Sequence, residues 1–166
     1  MTEISEVRLA DLKDKEQLME LCRLYWSENA MFPPDEAAIK DLVLACVTHE
    51  PTPGCLNPGM IGVIERDDRI VAMIALRVTQ VWYSRQPVIE DILFFVHPDH
   101  RRSDYAKLLI TYAKYMADEL GLPMMMGVIS NIRTEAKVRL YRRQLPFCGA
   151  FFVYTPDSFI ESRKVA

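Results

Sequence analysis

Residues 88–130 constrain the fold more than any other part of this 166-residue chain, because they read as strand, helix and strand in succession. "VIEDILFFV" (88–96) is rich in branched and aromatic residues. It is apolar on both faces in its second half, as a central strand covered from both sides should be. From Ser103 to Leu120, Tyr105, Leu108, Leu109, Tyr112, Ala113, Met116 and Leu120 recur at helical spacing. That pattern predicts a long amphipathic helix, with Ser103 near its start and Gly121 at its end. "PMMMGVIS" (123–130) predicts another buried strand. Two strands joined through a helix form a crossover unit, and such units place ligands at the carboxyl ends of their strands.

The flanking sequence supplies the rest of a sheet. "EVRLA" (6–10) predicts a short opening strand, and Asp11 fits a helix N-cap ahead of Leu18, Leu21, Cys22 and Tyr25. "FPPDEAAIKDLVLACV" repeats this logic, with Asp35 and Glu36 in a first turn and Ile39, Leu42, Val43 and Cys46 on one face. Residues 49–60, with three prolines and two glycines, predict an irregular loop. Asp67-Asp68 lies between two branched-rich runs and predicts a tight hairpin turn. "TEAKVRLYRRQ" (134–144) predicts a helix and "FCGAFFVY" (147–154) a last strand or pair of short ones. The expected order is β-α-α-β-β-β-α-β-α-β: a mixed α/β sheet with helices packed on it, in one domain spanning 1–166.

Composition narrows the function classes. Half the residues are hydrophobic and 26% are charged, ordinary values for a folded domain. A formal charge of −3 argues against a general nucleic-acid binder, which is usually basic. The polar N-terminus lacks a signal-peptide core, and the apolar runs fall far short of the ~20 residues a bilayer requires. These features predict a soluble, cytoplasmic protein without membrane partners. Cys22, Cys46, Cys55 and Cys148 show neither C-x-x-C nor zinc-ligand spacing, which predicts reduced thiols. His97, Asp99 and His100 lack a further ligand run, so no metal is expected.

The segment "FFVHPDHRRSDYAKLL" (94–109) raises a chemical question: a basic cluster stands between strand and helix in an acidic chain. Helix starts carry peptide N–H groups without intrahelical acceptors, and the dipole there is worth roughly half a positive charge. A phosphate or diphosphate suits such a place. Arg101 and Arg102 would add charge-assisted donors, and Pro98 would stiffen the approach. The alternative is a well-capped helix whose arginines face water.

"V-H-P-D-H-R-R-S-D-Y-A-K-L-L" resembles the acetyl-CoA signature of the GNAT superfamily, the Gcn5-related N-acetyltransferases. There a strand ending near Val-x-Pro leads into Arg/Gln-x-x-Gly-x-Gly/Ala and a long helix. Arg101 stands at the Arg/Gln position and Ala106 at the last small position. "KVRLYRRQLPF" (137–147) resembles the later helix of that family, with its Leu-Tyr pair ahead of an aromatic residue. The resemblance implies acetyl-CoA as cosubstrate. It implies contacts from Phe94, Phe95, Val96, Arg101, Arg102, Ser103, Asp104, Tyr105 and Ala106, with the pantetheine chain beside "ILFFV". Two departures stand out. Asp104 replaces the central glycine, which puts a carboxylate near a diphosphate. Asn131, a candidate for the family asparagine after the fifth strand, precedes Tyr141 by ten residues rather than about seven.

Acetyl transfer to an amine needs a base, a polarised carbonyl and a proton for the departing thiolate. Glu90 lies eleven residues before Arg101, where histone-type members carry their catalytic glutamate. Strand alternation would set it on one face with Ile92, Phe94 and Val96. Asp91, on the other face, is its competitor, and a salt bridge is the non-catalytic role for Glu90. Tyr141 matches the family tyrosine that protonates the thiolate; otherwise it packs in the core beside Val138 and Leu145. The resemblance implies a backbone N–H near Phe95 or Val96 as the carbonyl's donor. Arg133, Lys137, Arg139, Arg142 and Arg143 form a basic helix face, either solvated or meeting the 3′-phosphate of coenzyme A. Cys148, with no histidine nearby in sequence, is the weaker choice for a covalent route.

The expected activity is therefore transfer of acetyl from acetyl-CoA to a primary amine by direct attack in a ternary complex. The acceptor is a small-molecule amine or a peptide or protein amine. Homodimers are common in that family. The alternative is a GNAT-like module that binds acyl-CoA, or a partner, without turnover.

Overall fold

A computed structural model describes residues 6–55 and 57–156. Its sheet has five strands in the order β1 (Arg8–Leu9), β2 (Met60–Arg66), β3 (Arg69–Gln80), β4 (Pro87–Val96) and β5 (Met124–Met125). Neighbours are antiparallel up to β4, and β4 and β5 run parallel. Helices α1 (Lys15–Asn29) and α2 (Glu36–Thr48) follow β1, α3 (Tyr105–Leu120) links β4 to β5, and α4 (Thr134–Gln144) follows β5. The mixed α/β architecture read from sequence is thus present, crossover included.

Local chemistry explains the boundaries. Asp11 caps a 3-10 turn at Leu12–Asp14 that leads into α1, and Asp35 caps α2 by accepting from the Ala38 amide at 3.0 Å. Asp67 and Asp68 both adopt positive φ, at 51° and 60°, as a two-residue hairpin loop of matching twist demands. The α3 helix stops at Gly121, whose φ of 63° a glycine adopts without a Cβ penalty.

Two apolar cores lie on opposite faces of the sheet. One joins α1 and α2 to Ile61, Val63, Met73, Ala75 and Phe95, and includes the buried Cys22 and Cys46. The other joins α3 to Ile64, Ala72, Ile74, Leu76, Ile89 and Val96. Gly62 permits the second contact: a Cβ there would lie 2.6 Å from the Tyr112 ring.

Two expectations fail. The strand expected over 123–130 pairs only at Ile89↔Met124 and Glu90↔Met125. The Gly127 amide then donates to the Asp91 side chain at 2.8 Å, which takes the chain out of the ladder. The strand expected over 147–154 does not form either, and Phe147, Phe151, Phe152, Val153 and Tyr154 are exposed. A strand needs a paired edge for its backbone groups, and among the described residues no ladder extends beyond β5 at Met125 or reaches 147–154.

Candidate active site

The candidate site lies where the β4–β5 pairing ends. Beyond Glu90 the parallel ladder ends among the described residues, and the next link is the Gly127 amide on Asp91 Oδ1. The register between β3 and β4 also shifts here, between Ala75 and Leu76, so Ile92 stands out of the pairing. This bulge overturns the alternation read from sequence. Ile92 and Leu93 pack with the α1/α2 core, whereas Phe94 and Val96 belong to the α3 core, so Glu90, Ile92, Phe94 and Val96 do not share one face.

Glu90 and Asp91 therefore meet different surroundings. Glu90 Oε2 accepts from Arg77 Nη2 at 2.9 Å and from Nε at 3.1 Å, and its side chain is 43% exposed. Asp91 is partly buried, and loss of water pushes its carboxyl up to about 6. The Gly127 amide pulls the other way and the nearby Glu90 charge adds to the rise.

Two tyrosines share this carboxylate's field. Tyr141 of α4 packs edge-on against Phe94, with ring centroids 5.7 Å apart. Tyr25 of α1 packs edge-on against Phe95 at 5.9 Å. Burial raises both hydroxyls above the ordinary tyrosine value, and the Asp91 charge raises them further. At pH 7 both hydroxyls therefore keep their protons. The family resemblance singled out Tyr141 and strand alternation weighed Asp91 against Glu90, but Tyr25 is only an apolar position on a helix until it meets Phe95 of β4.

The turn ahead of α3 is built as a chain of tight bonds. His97 N donates to Val71 O at 2.8 Å, His100 N to His97 O at 2.9 Å, and Ser103 N to His100 O at 3.2 Å. Ser103 Oγ accepts from Tyr105 N at 3.3 Å. Among the described residues, the amides of Arg102, Asp104 and Ala106 have no acceptor within the chain. Asp104 is exposed and forms no cap bond with its side chain. A groove of about 350 Å³ adjoins this helix start on the β2 side, lined by Glu6, Arg66, Asp104, Tyr105, Lys107 and Leu108.

The remaining sequence candidates are placed as follows. Arg102 is exposed beside the turn, and Ala106 packs on the α3 core. Tyr105 stacks on His100 and lies under the Arg66 guanidinium. Arg101 turns inward: it pairs with Glu28 of α1, donates to Val96 O at 3.2 Å and lies over the Phe95 ring. Asn131 is exposed and donates to Ala30 O at 3.1 Å. Lys137, grouped by sequence with a solvated basic face, is instead half-buried and bonded to Asn29 and Ser130.

Comparison with known proteins places this arrangement. No curated protein matches the chain by sequence. Solved structures that resemble it include an aminoglycoside acetyltransferase, meta-AAC0020, from an uncultured soil metagenomic sample. The two are 19% identical over 90% of this chain and 95% of that one, with a TM-score of 0.63. Ribosomal-protein-alanine N-acetyltransferase from Brucella melitensis biovar Abortus 2308 is 15% identical over 90% and 96%, with a TM-score of 0.66. AAC(6')-Iy, solved in complex with the bisubstrate analog CoA-S-monomethyl-acetylneamine, is 16% identical over 90% and 96%, with a TM-score of 0.66. No described helix is long and apolar enough to cross a membrane. The profile of the acetyltransferase (GNAT) family matches residues 15–147, four-fifths of the sequence, and the chain belongs to that family.

Proposed function

We propose that this protein transfers acetyl from acetyl-CoA to a primary amine by direct attack in a ternary complex. The observation that carries the reading is the end of the β4–β5 ladder, where Asp91 is partly buried on the Gly127 amide and its charge bears on the hydroxyls of Tyr25 and Tyr141, packed on Phe95 and Phe94.

In this reading the residues divide the work by their protonation states. Asp91, with a carboxyl near 6, is ionised at neutral pH yet basic enough to take a proton from the attacking amine. Glu90, the base expected from sequence, is engaged by Arg77, and its role here is to hold that guanidinium. As the amine nitrogen bonds to the thioester carbon and the carbon–sulfur bond breaks, Tyr141 gives its proton to the departing sulfur. A backbone N–H near Phe95 or Val96 supports the carbonyl oxygen. The free amides at Arg102, Asp104 and Ala106 fit a diphosphate, with Arg102 beside them. Arg101 contributes to that turn's shape through Val96 O and Glu28 rather than by facing outward.

The exposed Asp104 favours a second reading, an acyl-CoA-binding module without turnover, because its charge opposes a diphosphate. Thiol release from acetyl-CoA separates the two. The panel holds an aminoglycoside, a polyamine, a peptide with an N-terminal alanine and a lysine peptide, since relatives are named for the first and third of these. Release above the no-amine rate with any of them supports the transferase. Binding of acetyl-CoA with no release across the panel supports the module.

A further inference from the structure

A second polar cluster, outside the reacting groups, joins α1 to α4. Asn29, the last residue of α1, is only 2% exposed. Its Oδ1 accepts from Ser130 Oγ at 2.6 Å and from Lys137 Nζ at 2.8 Å, and its Nδ2 donates to Tyr25 O at 3.0 Å. Lys137 Nζ also donates to Ser130 Oγ at 2.6 Å. Thr134 Oγ1, in the first turn of α4, donates to Ser130 O at 2.7 Å. A buried amide this fully bonded is costly to disturb, because each lost partner leaves a desolvated group behind.

The spacing is what turns a clamp into a functional candidate. Asn29 lies four residues after Tyr25, and Lys137 four residues before Tyr141. Residues four apart sit one helical turn apart on the same face. The Asn29–Lys137 bond thus sets the distance between α1 and α4 one turn away from the two tyrosines. Burial and the positive charges of Arg101 and Arg133 lower the Lys137 pKa, while Glu28 opposes that shift. The ammonium therefore has reason to keep both of its oxygen acceptors.

We propose that Asn29, Ser130 and Lys137 form a positioning device for the Tyr141 hydroxyl, so that Lys137 promotes acetyl transfer through Tyr141 without touching substrate. The proposal rests on Tyr141 as the proton donor. Small displacements of an aligned group can cost as much as about a hundredfold in rate.

The test is a double-mutant cycle read with the fastest amine of the panel above. Lys137→Met should lower kcat about tenfold or more, leave the KM for acetyl-CoA within about twofold, and keep calorimetric binding of acetyl-CoA. On a Tyr141→Phe background the same change should cost less than about twofold. Ser130→Ala, which removes one acceptor and leaves Asn29 in place, repeats the cycle with a smaller loss if the methionine variant does not fold. An equal loss on both backgrounds, or no loss on either, would overturn the proposal. Full turnover by Tyr141→Phe alone identifies a different failure, that of the donor assignment, and the positioning role falls with it.

Discussion

Glu90 and Asp91 are adjacent on β4, yet one is held by a guanidinium in reach of water and the other accepts a main-chain amide in a partly dry gap. Their difference leads to the first prediction. Asp91→Asn should lower kcat about a hundredfold or more, within the range of a lost general base, whereas Glu90→Gln should cost less than about tenfold. Steady-state thiol release with a saturating amine measures both. A larger loss for Glu90→Gln would return the base to that residue.

The same carboxyl predicts a pH dependence of rate. With its pKa near 6, kcat should rise through about pH 6 as Asp91 ionises. That inflection should be absent from the residual activity of Asp91→Asn. A limb that survives the substitution unchanged assigns the ionisation to another group.

Stability should move in the opposite direction. A carboxyl whose folded pKa is raised from 3.8 to about 6 binds its proton more tightly folded than unfolded. Its protonated form therefore favours the fold below pH about 4, and that contribution is lost as pH rises through about 6. The loss amounts to no more than about 3 kcal/mol. Asp91→Asn should thus gain in Tm over the parent at pH 8, with a gain about a third as large at pH 4.5. Equal differences at both pH values would contradict a raised Asp91.

Tyr141→Phe keeps the ring on Phe94 and removes only the hydroxyl. We expect kcat to fall about a hundredfold. Tm should change little, since the edge-on ring contact at 5.7 Å remains. Unchanged turnover removes this residue from the mechanism.

Asp104→Gly takes an exposed carboxylate away from the start of α3 without touching a cap bond. Calorimetric affinity for acetyl-CoA should hold or improve. A marked weakening would give Asp104 a positive role at the turn.

Gly62→Ala tests the packing that brings α3 onto the sheet. Its Cβ would lie 2.6 Å from the Tyr112 ring and 3.1 Å from Val7. Overpacking of this kind costs about 1–3 kcal/mol, and a lowered urea midpoint at constant slope would report it.

Much of this was readable in one dimension, and the parts that were not share a cause. The α3 helix announced itself through seven apolar positions at helical spacing, and the Asp67-Asp68 turn through its place between two strands. Tyr141 was singled out through a family resemblance, because the short pattern that carries it lies on one helix. The face of Glu90 was not. Alternation assumes an unbroken pleat, and a single out-of-register residue at Ile92 reverses it. Lys137 looked like one more surface cation, because its acceptors, Asn29 and Ser130, are 108 and 7 residues away along the chain. The strands expected at 123–130 and 147–154 had apolar runs of the right kind, but a strand also needs a paired edge, and sequence composition cannot supply one.

By itself, then, the sequence determined the four helices, the strands up to β4, the hairpin turn and the family, because those depend on neighbours within a few residues. Only the tertiary structure decided which carboxylate faces the gap, that Arg101 turns toward Glu28, and that Tyr25 joins Tyr141. Those outcomes depend on water being excluded by segments far apart in the chain, and the strength of a charge or a proton's affinity follows from that exclusion.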